Sequence, residues 1–166
     1  PVMRNITIKN VYAEIPMDKP DAGYNYEGPI EDLPRNISPA SIVGLPEYKI
    51  RNVTLQNIEI VSPGGGNSYY AYRGLTPAEL DSIPEMATSY PEFSQFKELP
   101  AWGFYIRHAE GIIFDNVTFR ALKKDYRPAI VTDDAEGVTF KNVRFMEPES
   151  EGKGQIFPYK SKITKK

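Results

Sequence analysis

The chain has 166 residues, of which 40% are hydrophobic and 25% are charged, and its formal net charge is −2. This length suits one domain with a sizeable core, and the near-neutral charge excludes a general basic surface for nucleic acid. No apolar run reaches the roughly 20 residues that span a bilayer, and because cysteine is absent, disulfides and cysteine-ligated metals are excluded.

The first predicted element is a pair of short strands joined at Asn10, and the same pattern recurs three times along the chain. In each copy, apolar and polar residues alternate in two runs, which is typical of half-buried strands. Asn suits the junction because it tolerates the left-handed backbone conformation of a tight corner. The four copies are NITIKNVYA, NVTLQNIEI, GIIFDNVTF and GVTFKNVRF, with junctions at Asn10, Asn57, Asn116 and Asn142.

The last two copies are separated by 26 residues, and the match extends over the segments before them. AWGFYIRHAEGIIFDNVTF aligns without a gap with RPAIVTDDAEGVTFKNVRF. A repeat of this length built from short strands is typical of a stacked solenoid. We therefore predict an all-β fold, a right-handed parallel β-helix of about four coils, as a single domain over residues 1–166.

Two loop insertions and a tail complete the predicted organisation. Residues 16–40 are rich in Pro, Gly and acidic residues, which predicts a structured surface loop. Residues 62–100 begin with a Gly-rich stretch, and the capping box Thr76-Pro-Ala-Glu79 predicts a short helix over about 77–82, with another turn near 91–97. This insertion either serves function or covers an apolar flank of the coils. The tail, residues 148–166, contains five lysines and is predicted to be a solvated closing segment.

The 26-residue register also predicts which side chains are neighbours. Residues one coil apart in a parallel stack lie about 4.8 Å apart across the ladder. The predicted neighbours are Phe114 and Phe140, Phe119 and Phe145, Asn116 and Asn142, Asp115 and Lys141, Arg107 and Asp133, and His108 and Asp134.

Three stretches carry a family resemblance: NVTLQNIEIVSPGGG, LPAWGFYIRHAEGIIFDNVTF and RPAIVTDDAEGVTFKNVRF. They resemble the C-terminal coils of glycoside hydrolase family 28, the polygalacturonase-like pectinases, in particular the bacterial members. The resemblance covers roughly residues 2–147. It implies an extracytoplasmic enzyme, periplasmic or secreted, that hydrolyses pectic polysaccharide with inversion, which requires one carboxylic acid and one carboxylate base.

The catalytic motifs that the resemblance implies are absent from these residues. We find no Asn-Thr-Asp, Gly-His-Gly or Arg-Ile-Lys sequence. The pair Asp133-Asp134 follows a strand and leads into a corner, whereas the family's Asp pair precedes an apolar strand, and consecutive strand residues point to opposite faces. We predict that no catalytic residue lies in this chain, that Asp133 and Asp134 are ladder contacts, and that His108 is a hydrogen-bond partner of Asp134. The start of the chain in mid-pattern suggests that the catalytic coils lie upstream.

Substrate binding is the role that remains for residues of this chain. Tyr105 and Arg107 alternate with Phe104 and Ile106, so they are expected to project outward, onto a face that the resemblance assigns to the sugar groove. Arg binds carboxylates with two parallel hydrogen bonds, and aromatic rings offer flat faces to sugars. A salt bridge from Arg107 to Asp133 and packing of the aromatic residues are the competing interpretations. The predicted substrate-binding residues are Arg107, Tyr105, Trp102, Tyr70 and Tyr72.

The sequence thus predicts the C-terminal portion of a polygalacturonase-like hydrolase, inactive by itself, whose partner is pectic oligosaccharide or polysaccharide. Because no phosphate-binding loop or metal-ligand spacing is evident, we predict no cofactor and no metal, and the composition predicts neither a nucleic-acid nor a membrane partner. Two alternatives stay open, a non-catalytic carbohydrate-binding module and a purely structural fragment. The first coil, residues 1–15, has no cap, so its open edge predicts self-association.

Overall fold

The computed structural model describes residues 2–17, 36–89, 96, 98–149 and 155–166, and strands dominate these residues. The helices whose bounds are described are one 3-10 turn, Ser68–Tyr70, and one α-helix, α1 (Pro77–Asp81), and the isolated described residue Phe96 is also helical. The strands are β1 (Arg4–Glu14), β2 (Ala40–Val43), β3 (Ile50–Gly64), β4 (Phe104–Lys123), β5 (Ile130–Glu136), β6 (Val138–Met146), β7 (Ile156–Tyr159) and β8 (Ile163–Lys165). The all-β class predicted from the alternating pattern is therefore confirmed.

Every pairing between these strands is parallel, and the registers follow the spacing of the sequence repeat. β1 pairs with β3 through Ile8 and Leu55, and β3 pairs with β4 through Leu55 and Phe114. β4 pairs with β5 and with β6, the latter through Phe114 and Phe140. The partners are thus 47, 59 and 26 residues apart, which are the intervals between the predicted Asn junctions.

The long strands bend at residues in the left-handed conformation, which recur in three columns. One column has Asn5, Asn52, Gly111 and Gly137; the second has Asn10, Asn57, Asn116 and Asn142; the third has His108, Asp134 and Lys160. Their φ angles lie between 45° and 67°. In the second column Asn116 Nδ2 donates to Asn57 Oδ1 at 2.9 Å, and Asn57 Nδ2 donates to Asn10 Oδ1 at 3.2 Å. These side-chain amides satisfy one another along the corner. The sequence predicted an Asn corner for the second column and no Asn corner for the other two.

The inward-facing side chains of these strands form the main core. Phe104, Phe114 and Phe119 are buried there with centroid separations of 5.2–6.2 Å. The ring of Phe114 stacks on Phe140 at 5.1 Å, and that of Phe119 stacks on Phe145 at 5.8 Å. Both predicted aromatic pairs are confirmed. So is Asp115 beside Lys141, whose charged groups lie 3.6 Å apart.

The tail was predicted to be a solvated closing segment. Its described part instead adds two strands to the parallel sheet. β7 pairs with β5 through Ile130 and Ile156, 26 residues apart, and β8 pairs with β6 through Val138 and Ile163. The few apolar residues of this segment stand among lysines, which hid the alternation in the sequence. Their pairing covers the outer edges of β5 and β6, so the described part of the tail is a structural layer and not a solvated end.

The insertion at 62–100 begins slightly later than predicted, since β3 continues to Gly64. The capping box is present: Thr76 Oγ1 accepts from the Glu79 backbone N–H, and the Glu79 carboxylate accepts from the Thr76 backbone N–H. A second apolar cluster joins this insertion to the outer side of β4 and β5 and includes Leu80, Ile83, Leu99, Tyr105 and Val131. The insertion therefore covers an apolar flank.

The predicted surface loop over residues 16–40 and the predicted turn near 91–97 fall largely on residues 18–35, 90–95 and 97. These residues lie outside the described residues. Within the first insertion, Asn36 is buried. The sequence pattern did not predict β2, which begins at the last residue of this insertion and pairs with β4. Within the second, Phe96 is buried in the second apolar cluster.

Candidate functional site

Three of the five predicted substrate-binding residues are buried. Trp102 is 1% exposed in the main core, Tyr105 is 0% exposed in the second cluster, and Arg107 is 6% exposed. Tyr105 and Arg107 do point away from the main core, as expected, but the insertion lies over them. The insertion covers Tyr105 and Arg107, and the main core encloses Trp102, so none of the three side chains lies at the surface. Strand alternation alone does not reveal the cover over Tyr105 and Arg107.

The other two candidates lie in the segment after the Gly-rich stretch. Tyr70 ends the 3-10 turn Ser68–Tyr70. Tyr72 is 59% exposed, and the guanidinium carbon of Arg73 lies 4.6 Å from the centroid of its ring. Tyr72 is therefore the candidate whose exposure suits contact with a sugar.

Arg107 connects β4 to β5 and to the insertion. Its Nε lies 3.1 Å from Asp133 Oδ2, and its Nη2 lies 2.9 Å from Glu85 Oε1. Its Nη1 donates to the carbonyl oxygen of Ile83 at 2.6 Å. The predicted neighbour relation between Arg107 and Asp133 is confirmed, but Glu85 and the Ile83 carbonyl lie outside the repeat, so the sequence pattern could not find them.

Asp133 has one feature expected of a catalytic acid. Burial raises the pKa of its carboxyl group above the usual range, although the charge of Arg107 opposes the shift. A raised pKa in a carboxyl group suits proton donation. However, the side chain is 4% exposed, the Tyr105 hydroxyl donates to its Oδ2 at 3.4 Å, and the same oxygen faces Arg107. Burial also raises the pKa of Tyr105 far above its usual value. The group is therefore enclosed by protein partners and has no path to a substrate.

His108 lies between two carboxylates at the edge of the same cluster. Its Nδ1 lies 2.7 Å from Asp134 Oδ2, and its Nε2 lies 3.2 Å from Glu85 Oε1. Lys49 Nζ donates to Asp134 Oδ1 at 3.0 Å. A neutral imidazole can donate to one carboxylate only, whereas a protonated ring donates to both. The predicted contact of His108 with Asp134 is confirmed. Because its other ring nitrogen faces Glu85 and not a hydroxyl group, the pair does not activate a nucleophile.

Asp134 makes the stability of the protein depend on pH. Burial acts to raise the pKa of its carboxyl group, but hydrogen bonds from His108 and Lys49 outweigh burial, so the pKa is lowered. A folded-state pKa below the unfolded value of about 3.9 stabilises the fold above that pH, and this stabilisation is lost as the pH falls through the folded-state pKa. Asp133 acts in the opposite sense, because its pKa is raised.

We expect Asp134→Asn to lower the free energy of unfolding by about 1 kcal/mol at pH 7, a figure reduced for the partial exposure of this group. The left-handed backbone at this position is one that Asn accepts, so the change removes charge without adding strain. Urea denaturation at pH 7 and at pH 3 measures the effect, and the difference between the two proteins should be smaller at pH 3, because protonation of Asp134 begins to remove the stabilisation there. Glu110→Gln, which removes an exposed partner of Arg51, should change little. An Asp134→Asn protein that is equally destabilised at both pH values would contradict the assignment.

A second polar network joins the Gly-rich stretch to the loop after β4. Asp125 accepts from the backbone N–H of Gly66 at 2.8 Å and from Nε and Nη2 of Arg127 at 3.0 Å. A Cβ at Gly66 would lie 2.6 Å from both Asp125 carboxylate oxygens, so this position requires glycine. Burial and the adjacent Glu98 raise the pKa of Tyr126 to about 12. The Gly-rich stretch therefore has a structural role, one that sequence spacing did not indicate.

Searches for other kinds of site give two findings on the part of the chain that the structure describes. No group of three or more His, Asp or Glu side chains in it could hold a metal ion. No helix in it has the length and apolar character needed to cross a membrane.

Comparisons with known proteins yield no relative from which a site could be transferred. No family model matches the chain, no curated protein matches it, and no solved structure matches it. The class that the fold defines is an all-β protein with a parallel-strand sheet. Any narrower assignment rests on the sequence motifs and on the geometry described above.

Proposed function

We propose that the chain is the C-terminal portion of a glycoside hydrolase family 28-like, polygalacturonase-like enzyme that acts on pectic polysaccharide, folded as a right-handed parallel β-helix. The observation that carries this proposal is the recurrence of left-handed corner residues in three columns along parallel strands. A right-handed sense is the rule for connections between parallel strands. In this proposal the described strands form five coils, one more than predicted, because the tail adds a coil. The coils are β1, β2 with β3, β4, β5 with β6, and β7 with β8.

The pectic substrate is proposed on the three sequence stretches that resemble family 28. An inverting site needs two carboxyl groups about 6.5–9.5 Å apart with room for a water molecule between them. Asp133 and Asp134 do not suit these roles, because Asp133 is enclosed by Arg107 and Tyr105 and Asp134 is held by His108 and Lys49. In this proposal the chain contributes coils and outlying sugar contacts to an extracytoplasmic enzyme, and the catalytic residues lie elsewhere.

The purified 166-residue chain tests this proposal directly. We expect it to bind polygalacturonate in affinity electrophoresis and to release no new reducing ends from it. Release of galacturonic acid that Asp133→Asn abolishes would contradict the absence of a catalytic residue. Retardation by a neutral galactan but not by polygalacturonate would contradict the pectic substrate.

A carbohydrate-binding module without catalysis is the second candidate, and the exposed ring of Tyr72 beside Arg73 favours it. Arg107→Ala is a poor probe of this function, because Arg107 is buried in a charge cluster. Tyr72→Ala is the sharper probe. A binding module should hold its sugar through Tyr72 as an isolated chain, whereas a purely structural fragment, the third candidate, should bind none.

A second copy of the chain remains a proposed partner through β1. Among the described strands, β1 pairs with β3 alone, and Ile8 and Tyr12 are 44% and 62% exposed. An apolar cavity of about 500 Å³, lined in part by Ile6, Ile8 and Val11, opens beside it. Unpaired strand edges of this kind promote pairing with another chain.

A further inference from the structure

Arg73 differs from the other arginines of the described residues that are at least partly buried. Arg107, Arg120 and Arg127 each lie within 3.1 Å of a carboxylate oxygen. Arg73 has no carboxylate within ion-pair distance in the described part of the chain, although burial lowers the pKa of its guanidinium group. Because a partly desolvated guanidinium gains from pairing with a negative charge, a guanidinium without a carboxylate partner among the described residues is a candidate anion-binding group.

Among the described residues, one edge of this guanidinium group has no hydrogen-bond partner. Nη1 of Arg73 donates to the carbonyl oxygen of Phe96 at 2.7 Å, and the ring of Tyr72 lies against the group at 4.6 Å. Nε and Nη2 donate to no atom of the described residues. These two nitrogens form the edge that binds a carboxylate with two parallel hydrogen bonds. Because two contacts already fix the group, little side-chain freedom remains to be lost on binding.

The charged groups near Arg73 are paired elsewhere. Arg107 is close enough to lower the pKa of Arg73 further, but it is itself paired with Glu85 and Asp133. The nearest acidic group in sequence, Glu79, lies against Gly74 but accepts hydrogen bonds from Thr76 in the capping box. It is therefore committed to the start of α1 and does not neutralise Arg73.

We propose that Tyr72 and Arg73 form a subsite for a uronate residue, in which Arg73 binds the sugar carboxylate and Tyr72 contacts an apolar face of the ring. The two side chains offer the two kinds of contact that an acidic sugar requires, an anion-binding edge and an exposed aromatic surface. That the uronate belongs to pectin rests on the proposed function, whereas the recognition of an acidic sugar does not.

The test is a titration of the full chain with three sugars: α-1,4-linked trigalacturonate, a glucuronate-containing oligosaccharide and the neutral galactose trimer. Binding is measured by calorimetry and by the NMR signal of the Arg73 Nε–H group. We expect an acidic sugar to shift this signal. Arg73→Gln should weaken its binding at least about tenfold, and Arg73→Lys should weaken it less, because Lys keeps the charge but not the two parallel bonds. Tyr72→Ala should weaken it as well. Arg120→Gln, which alters a partly buried arginine already paired with Glu59, should stay within about twofold of the unaltered chain.

The outcomes separate this inference from the proposed function. Trigalacturonate binding that Arg73→Gln leaves unchanged would overturn the subsite and leave the pectic function standing. Binding of the glucuronate oligosaccharide through Arg73, without binding of trigalacturonate, would support the subsite and count against pectin. Equal binding of the neutral trimer, or no binding of either acidic sugar, would overturn the subsite. If Arg73→Gln fails to fold, the signal shift and the Arg73→Lys titration decide.

Discussion

Replacing Arg107 with Met is expected to lower the free energy of unfolding by about 3–5 kcal/mol, the usual cost of breaking a buried ion pair by removing one partner. The side chains of Arg107 and Asp133 are 7% and 4% exposed, so the remaining carboxylate would be left in a poorly solvated place. Glu85 and the carbonyl of Ile83 would lose a partner at the same time. Urea denaturation of the two proteins at pH 7 measures this difference.

Two matched variants show whether the loss comes from an uncompensated buried charge. The double change Arg107→Met with Asp133→Leu should recover part of the stability, because it removes both charges. Arg51→Met removes the arginine of the exposed pair with Glu110, whose side chains are 55% and 51% exposed, and should cost less than about 1 kcal/mol. Equal losses in Arg107→Met and Arg51→Met would contradict the burial of the first pair.

Phe114→Ala is expected to lower the free energy of unfolding by about 3–5 kcal/mol, as large-to-small changes of buried aromatic residues do. Phe114 is fully buried and contacts the rings of Phe104, Phe119 and Phe140. Its neighbour Ile113 is 41% exposed on the opposite face of the same strand. Ile113→Ala should therefore cost far less, within about 1 kcal/mol. Thermal or urea unfolding distinguishes the two, and a larger loss for Ile113→Ala would mean that the faces of β4 are assigned the wrong way round.

The parallel register was predictable from the sequence because its determinants are local. Alternation of period two identifies the inward face of a strand, and Asn at a fixed place identifies a corner. An alignment on apolar residues and Asn alone placed Arg107 beside Asp133 and His108 beside Asp134, and the structure has both contacts. A histidine and two consecutive aspartates look catalytic in a sequence. The repeat explains them instead as structural contacts between neighbouring strands.

The sequence left open whether the insertion covers a flank, and the contacts of this cover were not predictable, because they join segments that share no repeat. The carboxylate of Glu85 reaches Arg107 and His108 from the insertion, and Lys49 reaches Asp134 from the segment before β3. Neither position follows from the 26-residue spacing. For this reason the alternation predicted only that Tyr105 and Arg107 project outward, onto a face that the resemblance assigns to the sugar groove, whereas the structure has them buried.

Arg73 escaped sequence analysis for a related reason. Its distinguishing property is the lack of a charged partner in the described residues, and a missing contact leaves no pattern in a sequence. Tyr72, next to it, was selected only as one of several aromatic residues near a Gly-rich stretch. The folded arrangement separates it from Tyr105 and Trp102, because it keeps more than half of its surface exposed.

The position of β4 within the sheet has a consequence for how the chain opens. β4 pairs with β2 and β3 on one side and with β5 and β6 on the other. Among the described residues, β1 at one end and β7 and β8 at the other each have a single strand partner, as does the short strand β2. Local opening proceeds most easily where fewest contacts must be broken. Fraying should therefore begin at both ends of the stack and reach the middle last. The backbone amide protons of Phe114 and its neighbours in β4 would then be the slowest to exchange with deuterium, and the two ends of the stack could open independently of each other.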